Sequence, residues 1–208
     1  MKRERLTSLL YEAIETEQGG VKIYEAAVAA AVNTDLKQEW REYLDQTRNH
    51  EKILRGVFER LSLDPAVETP GRQVVRTIGD ALVLAIQTAA KEGDSAAAEA
   101  VAAECVVLAE TKDHLNWELL GEAAKEMGGP HGKALAEACD EVEDEEDEHL
   151  YHTSGWAREL HMQQLGLPAV LPPPEERKDV KTAVGAARAK QGRKAMTTKS
   201  KGRARRSV

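Results

Sequence analysis

The stretch EDEEDEHLYH, residues 143–152, decides how this chain is read. It lies inside a segment patterned as a long helix, and six of the seven residues before His149 are acidic. Such a run is ordinarily a solvated helix face, and Asp144, Asp147 and Glu148 are read that way. Glu146 is different. It falls on an apolar stripe, Leu135, Ala138, Val142, Glu146, His149, Thr153, Trp156, Leu160, with the 3,4 spacing of a buried helix face. A Glu and a His at i and i+3 share one face, so Glu146 and His149 can reach the same point in a core.

Three other segments carry comparable stripes. The first helix gives Leu10, Ile14, Glu17, Val21, Tyr24, Val28; the second gives Leu36, Trp40, Tyr43, Thr47, His50, Leu54, Val57, Leu61. A looser one reads Ala103, Val106, Glu110, Asp113, Trp117, Leu120, Ala124. Polar residues interrupt each stripe near its middle: Glu17, then Thr47 and His50, then Glu110, then Glu146 and His149. An unpaired carboxylate is costly to bury, so such groups are normally exposed, paired or bound to metal. Four separate helices repeat the feature, which makes these residues the candidate site.

The helix boundaries follow from caps and breakers. The first long helix is expected over 6–32, with Asn33 or Thr34 capping a second over 35–61. Thr69 before Pro70 reads as a cap and first-turn proline, starting a shorter helix to about Lys91 that crosses from one end of the bundle to the other. A third long helix starts after Asp94 and stops near Met127 at EMGGPHG, and a fourth runs over 132–165. The bundle is thus expected over 1–166. Gly19 and Gly20 inside the first helix cost about 1 kcal/mol each relative to Ala, and close helix approach is the expected reason. Tyr24 and Trp117 sit one heptad from Glu17 and Glu110; core filling is expected of them, with an electron or proton relay as the alternative.

Two short similarities suggest an internal duplication. EQGGVKIYE from Glu17 aligns with ETKDHLNWE from Glu110, and HEKILRG from His50 with HLYHTSG from His149. The alignment pairs the first long helix with the third and the second with the fourth, the pseudo-symmetry that suits a two-metal site.

Glu17, His50, Glu110 and Glu146-x-x-His149, taken in order along four helices, resemble the ferritin-like di-iron carboxylate superfamily. Its bundles carry a Glu on each of two helices and Glu-x-x-His on each of the other two. The long connection between the second and third helices is similar as well, and the resemblance spans about residues 6–165. It implies an all-α fold, an antiparallel four-helix bundle with a crossover helix, holding two iron or manganese ions. Family roles carried over give one metal Glu17 and His50 and the other Glu110 and His149, with Glu146 bridging. The chain departs from the pattern at Thr47, where the family has a second bridging Glu. Three Glu and two His remain, an inventory similar to the ferritin-like manganese catalases, although there the shared carboxylate comes from a different helix. His114, one turn beyond Glu110, is a candidate extra ligand or supporting partner. Carboxylates with imidazoles suit iron or manganese, and zinc also binds such sets.

The function implied is a di-metal oxidoreductase acting on peroxide, oxygen or ferrous iron. The competing reading, favoured by Thr47, is a non-enzymatic scaffold or dimerisation protein with a degenerate site. A storage shell ranks third. A rubrerythrin-type electron chain is disfavoured because the two CxxC pairs of a rubredoxin module are missing. A homodimer or larger homo-oligomer is the expected assembly.

Composition agrees with helix: 41% of residues are apolar, with one Phe and four Tyr, and straight-chain residues lose little rotamer freedom in a helix. Charge is divided unevenly. Residues 177–208 hold 12 Lys/Arg and one acid, so a body of about −18 carries a tail of about +11. Residues 167–176, LPAVLPPPEE, are too proline-rich for helix and are expected to form an extended arm. The basic remainder, 177–208, is expected to be disordered. A solubilising or partner-docking tail is the expected role, with weak nucleic-acid contact through phosphate charge as the alternative; no aromatic residue interrupts it for base stacking. Cys105 and Cys139 are read as reduced, buried thiols. No apolar run suits a membrane span, and MKRERLTSLLYEAIETE turns acidic where a signal peptide would stay apolar, so the cytoplasm is the expected compartment.

Overall fold

The computed structural model describes residues 2–204, with side chains through Thr198. It is all-α, with seven helices packed together: α1 Arg3–Ala30, α2 Thr34–Arg60, α3 Pro70–Lys91, α4 Ser95–Met127, α5 Gly129–Gln164, α6 Pro174–Arg177 and α7 Ala183–Ala204. Among the described residues no helix is long and apolar enough to cross a membrane.

The helix starts are set by side chains that satisfy otherwise orphaned backbone donors. Asn33 accepts from the amides of Asp35 and Leu36, Thr69 from Arg72, and Asp94 from Ala96 and Ala97. The turn between α4 and α5 is tighter than the sequence suggests. Gly128 and Gly129 both take positive φ, +61° and +64°, so α5 begins at Gly129 rather than three residues later. Only glycine adopts that backbone without strain.

Two apolar clusters fill the interior. One gathers Leu10 and Ile14 of α1, Leu54 and Phe58 of α2, Leu120 of α4, and Leu135 and Val142 of α5. The other gathers Tyr24 and Ala27 of α1, Leu36 and Trp40 of α2, Val106 of α4 and Trp156 of α5, with Ile86 of α3. The first therefore takes the early turns of α1 and α5 and the late turns of α2 and α4; the second takes the opposite ends. The polar residues of all four stripes lie between them in sequence.

Helix α3 packs against α1 and α4. It is fastened at its start by Arg72, which is 5% exposed and donates to Glu15 Oε2 at 2.8 Å and to the Pro65 and Val67 carbonyls. Arg76 holds the other oxygen of Glu15 at 2.7 Å. Close approach accounts for one of the paired glycines of α1, Gly20, whereas a Cβ on Gly19 would meet nothing within 4 Å. A Cβ on Gly79 of α3 would lie 3.7 Å from Gly19 Cα, and one on Gly20 would lie 3.2 Å from Thr47 Cγ2.

Much of the described C-terminal stretch is helical. Residues 183–204 form α7, and 174–177 the single turn α6; residues 205–208, the end of the stretch expected to be disordered, lie outside the described residues. The reason is electrostatic. Glu159 of α5, 0% exposed, accepts from Arg193 Nε at 2.6 Å, Arg158 Nε at 3.0 Å and the Val170 amide at 2.9 Å. Arg158 also holds both oxygens of Glu175, and Lys181 pairs with Glu148 at 2.7 Å. Acids of the body thus neutralise a segment that would repel itself alone. Gly155 makes room for the arm, since a Cβ there would meet Glu175 Oε2 at 2.8 Å.

Candidate metal centre

Between the two apolar clusters the four stripes deliver a buried polar layer. Glu17, His50 and His149 are sealed from solvent, and Glu146, Glu110 and Asp113 are nearly so. Each arrives on the inward face of its own helix: Glu17 from α1, His50 from α2, Glu110 and Asp113 from α4, Glu146 and His149 from α5.

The layer contains two groups suited to a metal ion, with ligand atoms all within 4.8 Å of one another: His50, Glu146 and His149 in one, Glu17, Asp113 and Glu146 in the other. Glu146 is common to both. His50 Nδ1 lies 2.9 Å from Glu146 Oε1 and 4.0 Å from Glu17 Oε1. His149 Nδ1 lies 3.7 Å from Glu146 Oε1 and 3.6 Å from Glu110 Oε2. This grouping differs from the family assignment, which split the two histidines between metals. Glu110 falls in neither trio and faces His149 instead.

Both imidazoles are oriented from behind. His50 Nε2 is 2.8 Å from Glu145 Oε2, and His149 Nε2 is 2.9 Å from Gln46 Oε1. With Nε2–H donated outward, Nδ1 of each ring presents its lone pair to the layer, the arrangement by which metal-binding histidines are fixed. The Trp117 indole donates to Glu17 Oε1 at 2.8 Å. The Thr47 hydroxyl is turned away, donating to the Tyr43 carbonyl at 2.8 Å.

Inward-facing atoms are left without partners. Glu17 Oε2, His50 Nδ1, Glu110 Oε2, Asp113 Oδ1, Glu146 Oε2 and His149 Nδ1 are all buried and make no hydrogen bond; the 2.9 Å approach of His50 to Glu146 lacks hydrogen-bond alignment. Native interiors pair nearly all such atoms with protein groups, water or a bound ion, so six in one layer mark a place that could hold a metal ion. Electrostatics agrees. Burial first, then the charges of Asp113 and Glu146, raise Glu17 well above the carboxylate range. Burial, then Glu146 and Glu110, do the same to Asp113, and burial with Glu110 pushes Glu146 up to about 8. Mutually repelling carboxylates of this kind either hold protons or share a cation. These His, Glu and Asp clusters could hold a metal ion.

Three participants escape the sequence reading. Asp113 lay on the stripe, three residues after Glu110, at the spacing that singled out Glu146 and His149. Gln46 and Glu145 lie one residue off their stripes, Glu145 within the acid run, and no local signal marks them. His114 joins neither trio; its Nε2 is 2.6 Å from Asp147 Oδ1 at the rim. Tyr24 is core, 1% exposed with its hydroxyl unpartnered, and burial followed by the Glu110 charge raises it well above the phenol range. Compared with known protein families, curated proteins and solved structures, the chain matches none of them.

Proposed function

We propose that the chain is a ferritin-like, antiparallel four-helix bundle that holds two iron or manganese ions and acts as an oxidoreductase on peroxide, oxygen or ferrous iron. The observation that carries the reading is the set of six unpartnered polar atoms in one buried layer. Asp113 strengthens it. With Asp113 the layer offers four carboxylates and two imidazoles, the inventory of the di-metal carboxylate bundles. With Thr47, α2 brings no carboxylate into the layer, and α4 brings two, Glu110 and Asp113.

In this reading His50, Glu146 and His149 would hold one ion and Glu17, Asp113 and Glu146 the other, with Glu110 beside His149. Iron or manganese held there would supply redox equivalents. The chain's own groups do the rest. Glu145 and Gln46 hold the imidazoles in one tautomer, and the carboxylates release the protons that burial makes them keep. The apolar clusters on either side exclude water. Outside His149, the Tyr43 hydroxyl donates to Glu39 Oε1 at 2.9 Å and lies 3.1 Å from His152 Nδ1, a short chain able to hold a proton.

A non-enzymatic scaffold is the second reading, and the Thr47 hydroxyl bonded to its own helix favours it. It leaves six buried atoms uncompensated, which ranks it lower. Metal-free protein loaded with ferrous iron or manganese, then assayed for ferrous oxidation and peroxide breakdown, separates the two. Turnover in the wild type that is lost in Glu146→Ala supports the oxidoreductase; equal, background rates in both overturn it.

A further inference from the structure

A cleft of about 460 Å³ opens between α4 and α5, and at its floor lie Glu146 and Trp117. Glu146 belongs to both ligand trios, and Trp117 donates to Glu17. The walls are two facing ladders at helical spacing. Glu118 and Glu122 line the α4 side, and Asp140, Glu143 and Asp147 the α5 side. Four of these are exposed, Asp147 is half-buried and Glu146 is buried, so negative charge continues from the mouth to the floor. Lys125 is the one lysine or arginine among the lining residues, and its ammonium is already paired with Glu122 at 2.6 Å.

Acidic residues on a surface mean little by themselves. Here the floor adds an independent observation: Glu146 is 2% exposed and its Oε2 has no partner. Among the described residues, the pocket on the α2–α5 side lacks this connection. The pocket between α2 and α5 is also acid-lined, but it ends on Tyr43 and Gln46, behind the outward nitrogen of His149, and reaches none of the unpartnered ligand atoms.

Resting on the reading of the layer as a metal centre, we infer that the α4–α5 cleft is the route by which divalent cations reach it from solvent, so that the substrate it admits from bulk water is a metal cation rather than an anion. Field lines in a cleft walled by one sign of charge are focused, which raises the local concentration of the opposite ion and its association rate. The half-buried His114–Asp147 pair, 2.6 Å apart, stands between the exposed acids and Glu146 and offers a cation passing inward one further carboxylate and imidazole.

The test uses cobalt(II) mixed rapidly with metal-free full-length protein, followed by visible absorption. The variants are Glu118→Gln/Glu122→Gln and Asp140→Asn/Glu143→Gln, all at exposed positions that are not ligands. Combining the four substitutions is expected to slow association about tenfold at low salt, flatten its salt dependence, and leave final stoichiometry unchanged. The control, Glu42→Gln/Asp179→Asn in the α2–α5 pocket, is expected to leave the rate as in the wild type. An unchanged rate and salt dependence in the fourfold variant, or slowing by the control alone, overturns the route. Wild-type protein that takes up no cobalt overturns the metal centre itself, a distinguishable failure.

Discussion

His50 Nδ1 lies 2.9 Å from Glu146 Oε1, and both side chains are buried. A histidine and a carboxylate so placed, with Glu17, Asp113 and Glu110 also facing the layer, give a site whose charge balance depends on what fills it.

The metal-free protein is therefore expected to lose stability as pH rises. The folded-state affinities of Glu17, Asp113 and Glu146 for protons are raised. Between the ordinary carboxylate value of 4.5 and the value of about 8 for Glu146, the folded state binds more protons than the unfolded one. Stability is then full below that window and falls through it. Denaturant midpoints of metal-free protein from pH 5 to 8 measure this. Saturating divalent metal is expected to abolish or invert the trend and to release protons on binding.

Asp113 is expected to be a ligand although its helix partner Glu110 faces elsewhere. Asp113→Ala should lower the metal bound by about half, since only the Glu17 trio contains it. Adding Thr47→Glu, which returns a carboxylate to α2, should restore part of that loss. Unchanged metal content in Asp113→Ala, by elemental analysis, would remove Asp113 from the site.

Gln46 and Glu145 are expected to act through the imidazoles. Gln46→Leu removes the acceptor for His149 Nε2, and Glu145→Leu that for His50 Nε2. Each should weaken metal affinity about 10- to 100-fold with helical content intact, measured by competition with a chelator. A loss of helix in step with the loss of affinity would instead mean a packing role.

Arg193 is expected to anchor α7. Arg193→Ala leaves Glu159 with fewer partners in a site that is 0% exposed and should cost about 2 kcal/mol. Burial opposes ionisation of Glu159, but Arg193, the Val170 amide and Arg158 together hold its proton affinity below normal. The same variant should speed proteolysis within 183–204, read by mass spectrometry of the fragments.

The fold was legible where periodicity is strong. Stripes of apolar residues located four long helices, and the caps Asn33 and Asp94 set the starts of two of them, as Thr69 does for the crossover helix α3. The candidate residues were legible for a related reason, since a Glu or His at the middle of an apolar stripe must face inward. Asp113 carried that signal too, but the family pattern, with one Glu on this helix, has no place for it. Gln46 and Glu145 carried none, because the side chain behind a ligand lies off the stripe. The docking of α7 depends on pairs such as Glu159 and Arg193, 34 residues apart, and a basic, low-hydrophobicity segment gives no hint that a buried acid awaits it.

The most direct measurement is the metal content per chain, by elemental analysis, of tag-free protein reconstituted under reducing conditions with ferrous iron or manganese. Glu146→Ala and His149→Ala are compared with the exposed control Asp144→Ala. About two ions per chain are expected in the wild type and in Asp144→Ala, with loss in both inward variants. Metal-free wild type, or the same content in all four proteins, would contradict the metal centre.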